Sequence, residues 1–139
     1  MSPPVRSATN PTPPTNLALL VEDDPNIRTM LRKLLEHAGL FVVEVATGQR
    51  AIKFLAEQTP AIVLLDLMLP ESSGFEICAH IRQQRRFDRV PVVIISARHL
   101  PEDQAQAQEV GAAAYITKPF KPAHIYSVVK KLLPGLERK

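Results

Sequence analysis

The sequence predicts an α/β fold: a doubly wound parallel sheet of five strands flanked by five helices. Three observations point there. Short apolar runs alternate with segments of helical period along most of the chain. Those runs are apolar on both faces, as strands covered on both sides are. The chain has 139 residues, 45% hydrophobic and 22% charged, enough for one core of ordinary size and too short for two full domains.

The first strand is Leu17 to Val21, and the helix after it carries Ile27, Met30, Leu31, Leu34, Leu35 and Ala38 at spacings of three and four. Asp24 stands just before Pro25, the pairing expected of a cap and the first helical turn. Phe41 to Val45 reads as the second strand and Gly48 to Gln58 as the second helix. Ala61 to Leu65 reads as the third strand and Gly74 to Gln84 as the third helix, both helices with clear apolar stripes. Val90 to Ile95 reads as the fourth strand. The helix after it, Glu102 to Val110, offers only Ala105, Ala107 and Val110 as inward residues and should be weakly held. Ala113 to Ile116 reads as the fifth strand, and Ile125, Val128, Val129, Leu132 and Leu133 mark the last helix. Right-handed crossovers between such strands give an open parallel sheet with helices on both faces.

Proline is in excess, 13 of 139 residues, against a usual share of about 5%. Five of these lie in residues 1–16 (Pro3, Pro4, Pro11, Pro13, Pro14), a stretch too poor in apolar side chains to offset the entropy of ordering, which reads as a disordered tail. The other eight fall at joints between strands and helices. Residues 134–139 read as a C-terminal tail. One cysteine, Cys78, allows no internal disulfide, and its helical spacing with Ile81 marks it as a small buried hydrophobe. With no secretory leader or membrane-spanning run, a cytoplasmic location is expected. A net charge of +3 does not argue for nucleic acid. The cluster Arg82, Arg85, Arg86 and Arg89 reads as a solvated helix end.

Acidic residues close two strands: Glu22-Asp23-Asp24 follows the first and Asp66 the third. Sites in open parallel sheets form at the carboxyl ends of strands, where the order reverses. If those two strands are neighbours, Glu22, Asp23 and Asp66 converge and call for a hard divalent cation among them. Ser96 ends the fourth strand and Lys118-Pro119-Phe120 follows the fifth. A hydroxyl and an ammonium facing carboxylates suggest recognition of an anion such as a phosphoryl group.

These signatures, in this order, resemble the receiver domain of response regulators, similar to the chemotaxis response regulator, over residues 17–133. The matching residues are Glu22-Asp23, Asp66 with Pro70 and Gly74, Ser96-Ala97 and Lys118-Pro119-Phe120. The resemblance implies the flavodoxin-like receiver fold with strand order 2-1-3-4-5, and a phosphorylation-activated switch of two-component signalling rather than an enzyme acting on other substrates. It implies Asp66 as phosphoacceptor from a sensor histidine kinase or a histidine phosphotransfer protein. Mg²⁺ would be held by Asp23, Asp66, the Met68 backbone carbonyl and, through water, Glu22. Lys118 and Ser96 would bind the phosphoryl oxygens, Tyr115 would be the switch aromatic, and the Lys118-Pro119 bond would be cis. The output surface would be the fourth helix, fifth strand and fifth helix, meeting a downstream protein or a second copy; neither nucleic acid nor membrane is an expected direct partner.

Departures from the family pattern are mild. Glu22 stands for the commoner Asp. Ser72 replaces a larger apolar residue, so the loop after Asp66 is expected to be less anchored. Met68 and Arg98, two residues beyond Asp66 and Ser96, border the path of hydrolytic water in the family, and their bulk implies a long-lived phosphoryl group. A haloacid-dehalogenase-type hydrolase would need an acid at Met68, and a flavin-binding module would not place Glu22-Asp23-Asp24 where a phosphate sits. A receiver that only binds partners is the remaining rival. No output segment follows Leu133, so the chain is expected to be a stand-alone regulator or a receiver from a longer protein.

Overall fold

A computed structural model describes residues 16–136; the expected tail over 1–16, Asn16 excepted, and residues 137–139 lie outside it. The strands are β1 (Leu17–Val21), β2 (Phe41–Val45), β3 (Ile62–Asp66), the short pair β4 (Met68–Leu69) and β5 (Ser72–Ser73), β6 (Val92–Ser96) and β7 (Ala114–Thr117). The helices are α1 (Pro25–His37), α2 (Gly48–Glu57), α3 (Gly74–Arg82), α4 (Pro101–Glu109) and α5 (Pro122–Leu132). Five strands form one parallel sheet in the order β2-β1-β3-β6-β7, the expected 2-1-3-4-5 once the small hairpin is left out of the count.

Alternation along each strand sorts its side chains to two faces. Leu19, Val21, Val63, Leu65 and Val92 pack with Ala51 and Leu55 of α2 and Ile77, Cys78 and Ile81 of α3. Ala18, Leu20, Ile62, Leu64, Val93, Ile95 and Ile116 pack with Leu31 and Leu35 of α1 and Ile125 and Val129 of α5. Every residue of β1, β3 and β6 is buried. The edge strand β2 is only half covered, and Phe41 at its start is 68% exposed.

The third, fourth and fifth expected strands each sit one or two residues later in the structure, so that Asp66 and Ser96 are the last ladder residues of β3 and β6 and pair with Ile95 and Thr117. Asp24 caps α1, its Oδ1 accepting from the amides of Asn26 and Ile27. Asn16, assigned to the tail, belongs to the fold: its carbonyl accepts from Phe41 and its side-chain amide donates to Gly39. Leu136, assigned to the C-terminal tail, packs on the α1/α5 side of the core.

Three local readings are corrected. Ser72 does not leave its loop loose: the antiparallel pair Met68–Ser73 and Leu69–Ser72 closes it, turning on Glu71 at φ 61°. In α4, Ala105 faces solvent, and the buried residues are Asp103 and Ala107, four apart as a helical face requires. The arginine cluster is only partly solvated. Arg82 donates to the carbonyls of Phe87 and Val90, and Arg86 donates to the Leu55 carbonyl while lying 4.4 Å over the Phe87 ring. The guanidinium groups supply donors to carbonyls at the end of α2 and in the turn after α3, adding to the Val90 amide that already bonds the Phe87 carbonyl.

Candidate functional site

The order reversal between β2-β1 and β1-β3 opens a crevice at the carboxyl ends of the central strands. Glu22 follows β1 directly and stays in register, its amide donating to the Val45 carbonyl at 3.1 Å. Asp66 ends β3. Glu22, Asp23 and Asp66 each offer a carboxylate oxygen within 4.8 Å of the others; Glu22 and Asp66 are buried and Asp23 is exposed. Lys118, carried in by β7, places Nζ 2.9 Å from Glu22 Oε1 and 3.2 Å from Asp66 Oδ2. Its amide donates to the Ser96 carbonyl at 2.8 Å, which ties the β7 exit to that of β6, and the Lys118-Pro119 peptide is cis.

Burial pushes the Glu22 carboxyl up to about 7, although the Lys118 hydrogen bond pulls it back down. Burial acts on Lys118 in the opposite direction, and the carboxylates of Glu22 and Asp66 outweigh it, so the ammonium stands above its ordinary value. Three carboxylates against one ammonium leave an excess of negative charge in a crevice lined by oxygen donors. That donor set fits a small hard divalent cation and offers nothing soft to a thiophilic metal.

The other residues singled out from the sequence lie around this centre. The Met68 amide donates to Asp66 Oδ1 at 3.0 Å, while the Met68 side chain is 58% exposed. Ser96 is fully buried, and its Oγ accepts from the Arg98 amide at 3.1 Å. The Tyr115 ring packs against the cluster of Leu67, Phe75, Ile94 and Ala107, and its hydroxyl donates to the Arg98 carbonyl at 2.7 Å. The Arg98 guanidinium is drawn to Asp103, 2.7 Å away, so it does not stand free over Asp66.

Two participants escaped the sequence reading. Arg28 on α1 donates from Nη1 to the Glu22 carbonyl at 3.0 Å and the Asp23 carbonyl at 3.4 Å, and from Nε to Glu44 Oε1 at 3.0 Å. The available signal was Glu44 itself, the single charge in the apolar run of β2. Asp103 is the other, and one of two adjacent acids in the first turn of a polar helix carries no distinguishing mark.

A family model, response regulator receiver domain, matches residues 18–130. The chain is 34% identical over 116 residues to response regulator Rre1 of Synechocystis, covering 83% of this chain and 50% of that one. It is 37% identical over 115 residues to the phosphate regulon transcriptional regulatory protein PhoB of Escherichia coli, with coverage of 83% and 50%. The chain therefore spans about half the length of these curated relatives. Among solved structures, it superposes with a TM-score of 0.79 on the signal receiver domain of a histidine kinase from Syntrophus aciditrophicus, at 32% identity and covering 89% and 94% of the two chains. The receiver domain of a Pseudomonas aeruginosa sensor histidine kinase, solved with a magnesium ion coordinated in its active-site cleft, gives a TM-score of 0.78 at 30% identity, covering 86% and 98%. A match to the family along most of the chain, relatives at this identity and the same sheet order together place this protein among the receiver domains of response regulators.

Proposed function

We propose that this receiver is a phosphorylation-activated switch, with Asp66 accepting a phosphoryl group from a phosphohistidine on a sensor kinase or phosphotransfer protein. One observation carries the reading: in a receiver-family chain, Asp66, Glu22 and Asp23 meet at the strand ends with the Lys118 ammonium bonded to two of them. A carboxylate oxygen of Asp66 attacks phosphorus in line, the P–N bond breaks, and the imidazole leaves with the bond's electron pair and takes up a proton. Mg²⁺ suits the donor set of Asp23, Asp66, the Met68 carbonyl and a water on Glu22, and when bound it neutralises charge on the phosphoryl oxygens. Lys118 exchanges a carboxylate partner for a phosphoryl oxygen. Ser96 Oγ leaves the Arg98 amide to reach another.

Tyr115 senses that exchange because its hydroxyl is bonded to the carbonyl of the same Arg98 whose amide holds Ser96. Phosphorylation adds contacts available to only one arrangement of this loop and so shifts its population. The readout is the face of α4, β7 and α5, beside which the α4 N-cap residue Leu100 is 50% exposed; its partner is a downstream protein or a second copy. The reaction is self-modification, and its place is the cytoplasm, in keeping with one unpaired buried cysteine and with no described helix long and apolar enough to cross a membrane.

The test is incubation with Mg²⁺ and a small acyl or amido phosphate, followed by intact mass. A single phosphoryl addition is expected in the wild type and none in Asp66→Asn. No addition in the wild type would make the protein a receiver that only binds partners.

A further inference from the structure

One side chain from outside the acidic loop after β1 bonds its backbone carbonyls, while within the loop Glu22 Oε2 accepts from the Asp24 amide at 3.1 Å. Arg28, half-buried on the second turn of α1, bonds the carbonyls of Glu22 and Asp23 with the same Nη1 and anchors its Nε on Glu44 of β2. Glu44 is fixed in turn from its other oxygen, which lies 2.7 Å from Arg32 Nε, while Arg32 also reaches Glu36 at 3.3 Å. The two carbonyls belong to the peptide planes on either side of the Asp23 Cα. Fixing both planes fixes the direction in which the Asp23 side chain leaves the backbone. Asp23 needs this more than its neighbours, because Glu22 and Asp66 are buried and bonded to Lys118 whereas Asp23 is exposed.

We propose that Arg28, braced by Glu44, is a positioning residue that holds Asp23 in the geometry a divalent cation requires. The inference rests on the metal-dependent reading above and extends it to a group that touches neither metal nor phosphoryl. Lysine could not do this, since one ammonium has no planar fork to span two carbonyls and a carboxylate. A guanidinium that merely tied α1 to β2 would add stability and leave metal affinity alone. Arg32 supplies that comparison, because it makes two ion pairs in the same network and none to the acidic loop.

The experiment measures Mn²⁺ and Mg²⁺ affinity by calorimetry with the metal alone, and amide hydrogen exchange at Asp23 and Asp24 in metal-free protein. For Arg28→Ala the expected result is affinity about 10-fold weaker, the scale of lost outer-shell support at metal sites, with faster exchange at both amides. Arg32→Ala should lower the melting temperature yet stay within about twofold of wild-type affinity, below that outer-shell scale. Arg28→Lys keeps the charge and the stem, and should fold as the wild type while remaining weak for metal, so a folding defect in Arg28→Ala leaves the inference testable. Wild-type affinity in Arg28→Ala or Arg28→Lys, or equal weakening in Arg32→Ala, would overturn it while leaving the phosphoacceptor reading intact. A wild type that binds neither metal would remove that reading and this inference with it.

Discussion

The Lys118 ammonium bridges Glu22 and Asp66, at 2.9 and 3.2 Å, joining residues 96 and 52 positions away in the chain. Among the described residues it is the cation bonded to the carboxylates of this crevice. Glu22 in the folded protein titrates at about 7 rather than 4.5, chiefly through burial, so the folded state holds a proton there that the unfolded chain has released. Stability from that proton is complete below pH 4.5 and falls as pH rises through 7, and the ammonium limits the fall. Lys118→Ala should therefore show a deficit on the order of 3 kcal/mol at pH 8 in metal-free urea titrations, the scale of a broken buried pair, and a smaller one at pH 5, where the Asp66 contact is still lost. A deficit equal at both pH values would assign Lys118 to packing.

Gly74 is the second constraint on Asp66. A Cβ there would lie 2.6 Å from the Asp66 carbonyl oxygen and 2.8 Å from the Leu67 Cα, and backbone cannot swing away as a side-chain tip can. Gly74→Ala should cost about 2 kcal/mol, typical of overpacking, and should slow phosphoryl addition at Asp66 because the loop that carries it must shift. Wild-type stability and rate together would show that α3 slides to make room.

The strand ends were legible because their chemistry is local: a Val, Ile or Leu run that stops at an acid, a hydroxyl or a Lys-Pro pair announces both the strand and the side of the sheet on which it acts. Even the central position of β1 could be argued, since Glu22 and Asp66 have a shared purpose only as neighbours. The Arg28–Glu44 brace was not legible, because it depends on how far α1 rolls over β2, and no periodicity specifies that roll. The hairpin of Met68–Leu69 with Ser72–Ser73 was missed for a different reason: two-residue strands show no alternation to read. Asp103 rather than Ala105 turns inward because in so polar a helix the phase shared with Ala107, not hydrophobicity, decides which face is buried.

Cys78 is buried on α3, its Sγ 3.4 Å from the Val110 carbonyl, and burial pushes the thiol up to about 11. At pH 8 the thiolate is then about one part in a thousand, and only the thiolate reacts. A disulfide reagent should leave the native protein unlabelled over hours and label it once in urea. Prompt labelling of native protein would mean that α3 opens locally well below the global unfolding free energy.

Arg98 joins three elements: its amide donates to Ser96 Oγ, its carbonyl accepts from the Tyr115 hydroxyl, and its guanidinium pairs with Asp103 of α4 at 2.7 Å. Asp103 is 2% exposed and also accepts from the amide of the N-cap residue Leu100 at 3.2 Å, so it both ties down the start of α4 and is one of the helix's two buried residues. A helix with so little apolar surface depends on that carboxylate being satisfied. Arg98→Ala should therefore raise amide exchange throughout α4 and leave α1 unchanged. The global loss should be only about 1 kcal/mol, because the arginine is half exposed and its attraction is screened. Asp103→Asn, which keeps an acceptor for the Leu100 amide, should loosen α4 less than Asp103→Ala. If neither Arg98→Ala nor Asp103→Ala changes exchange in α4, the helix is held by Ala107 and its neighbours alone, and the path from Ser96 to the α4 face runs through Tyr115 without the ion pair.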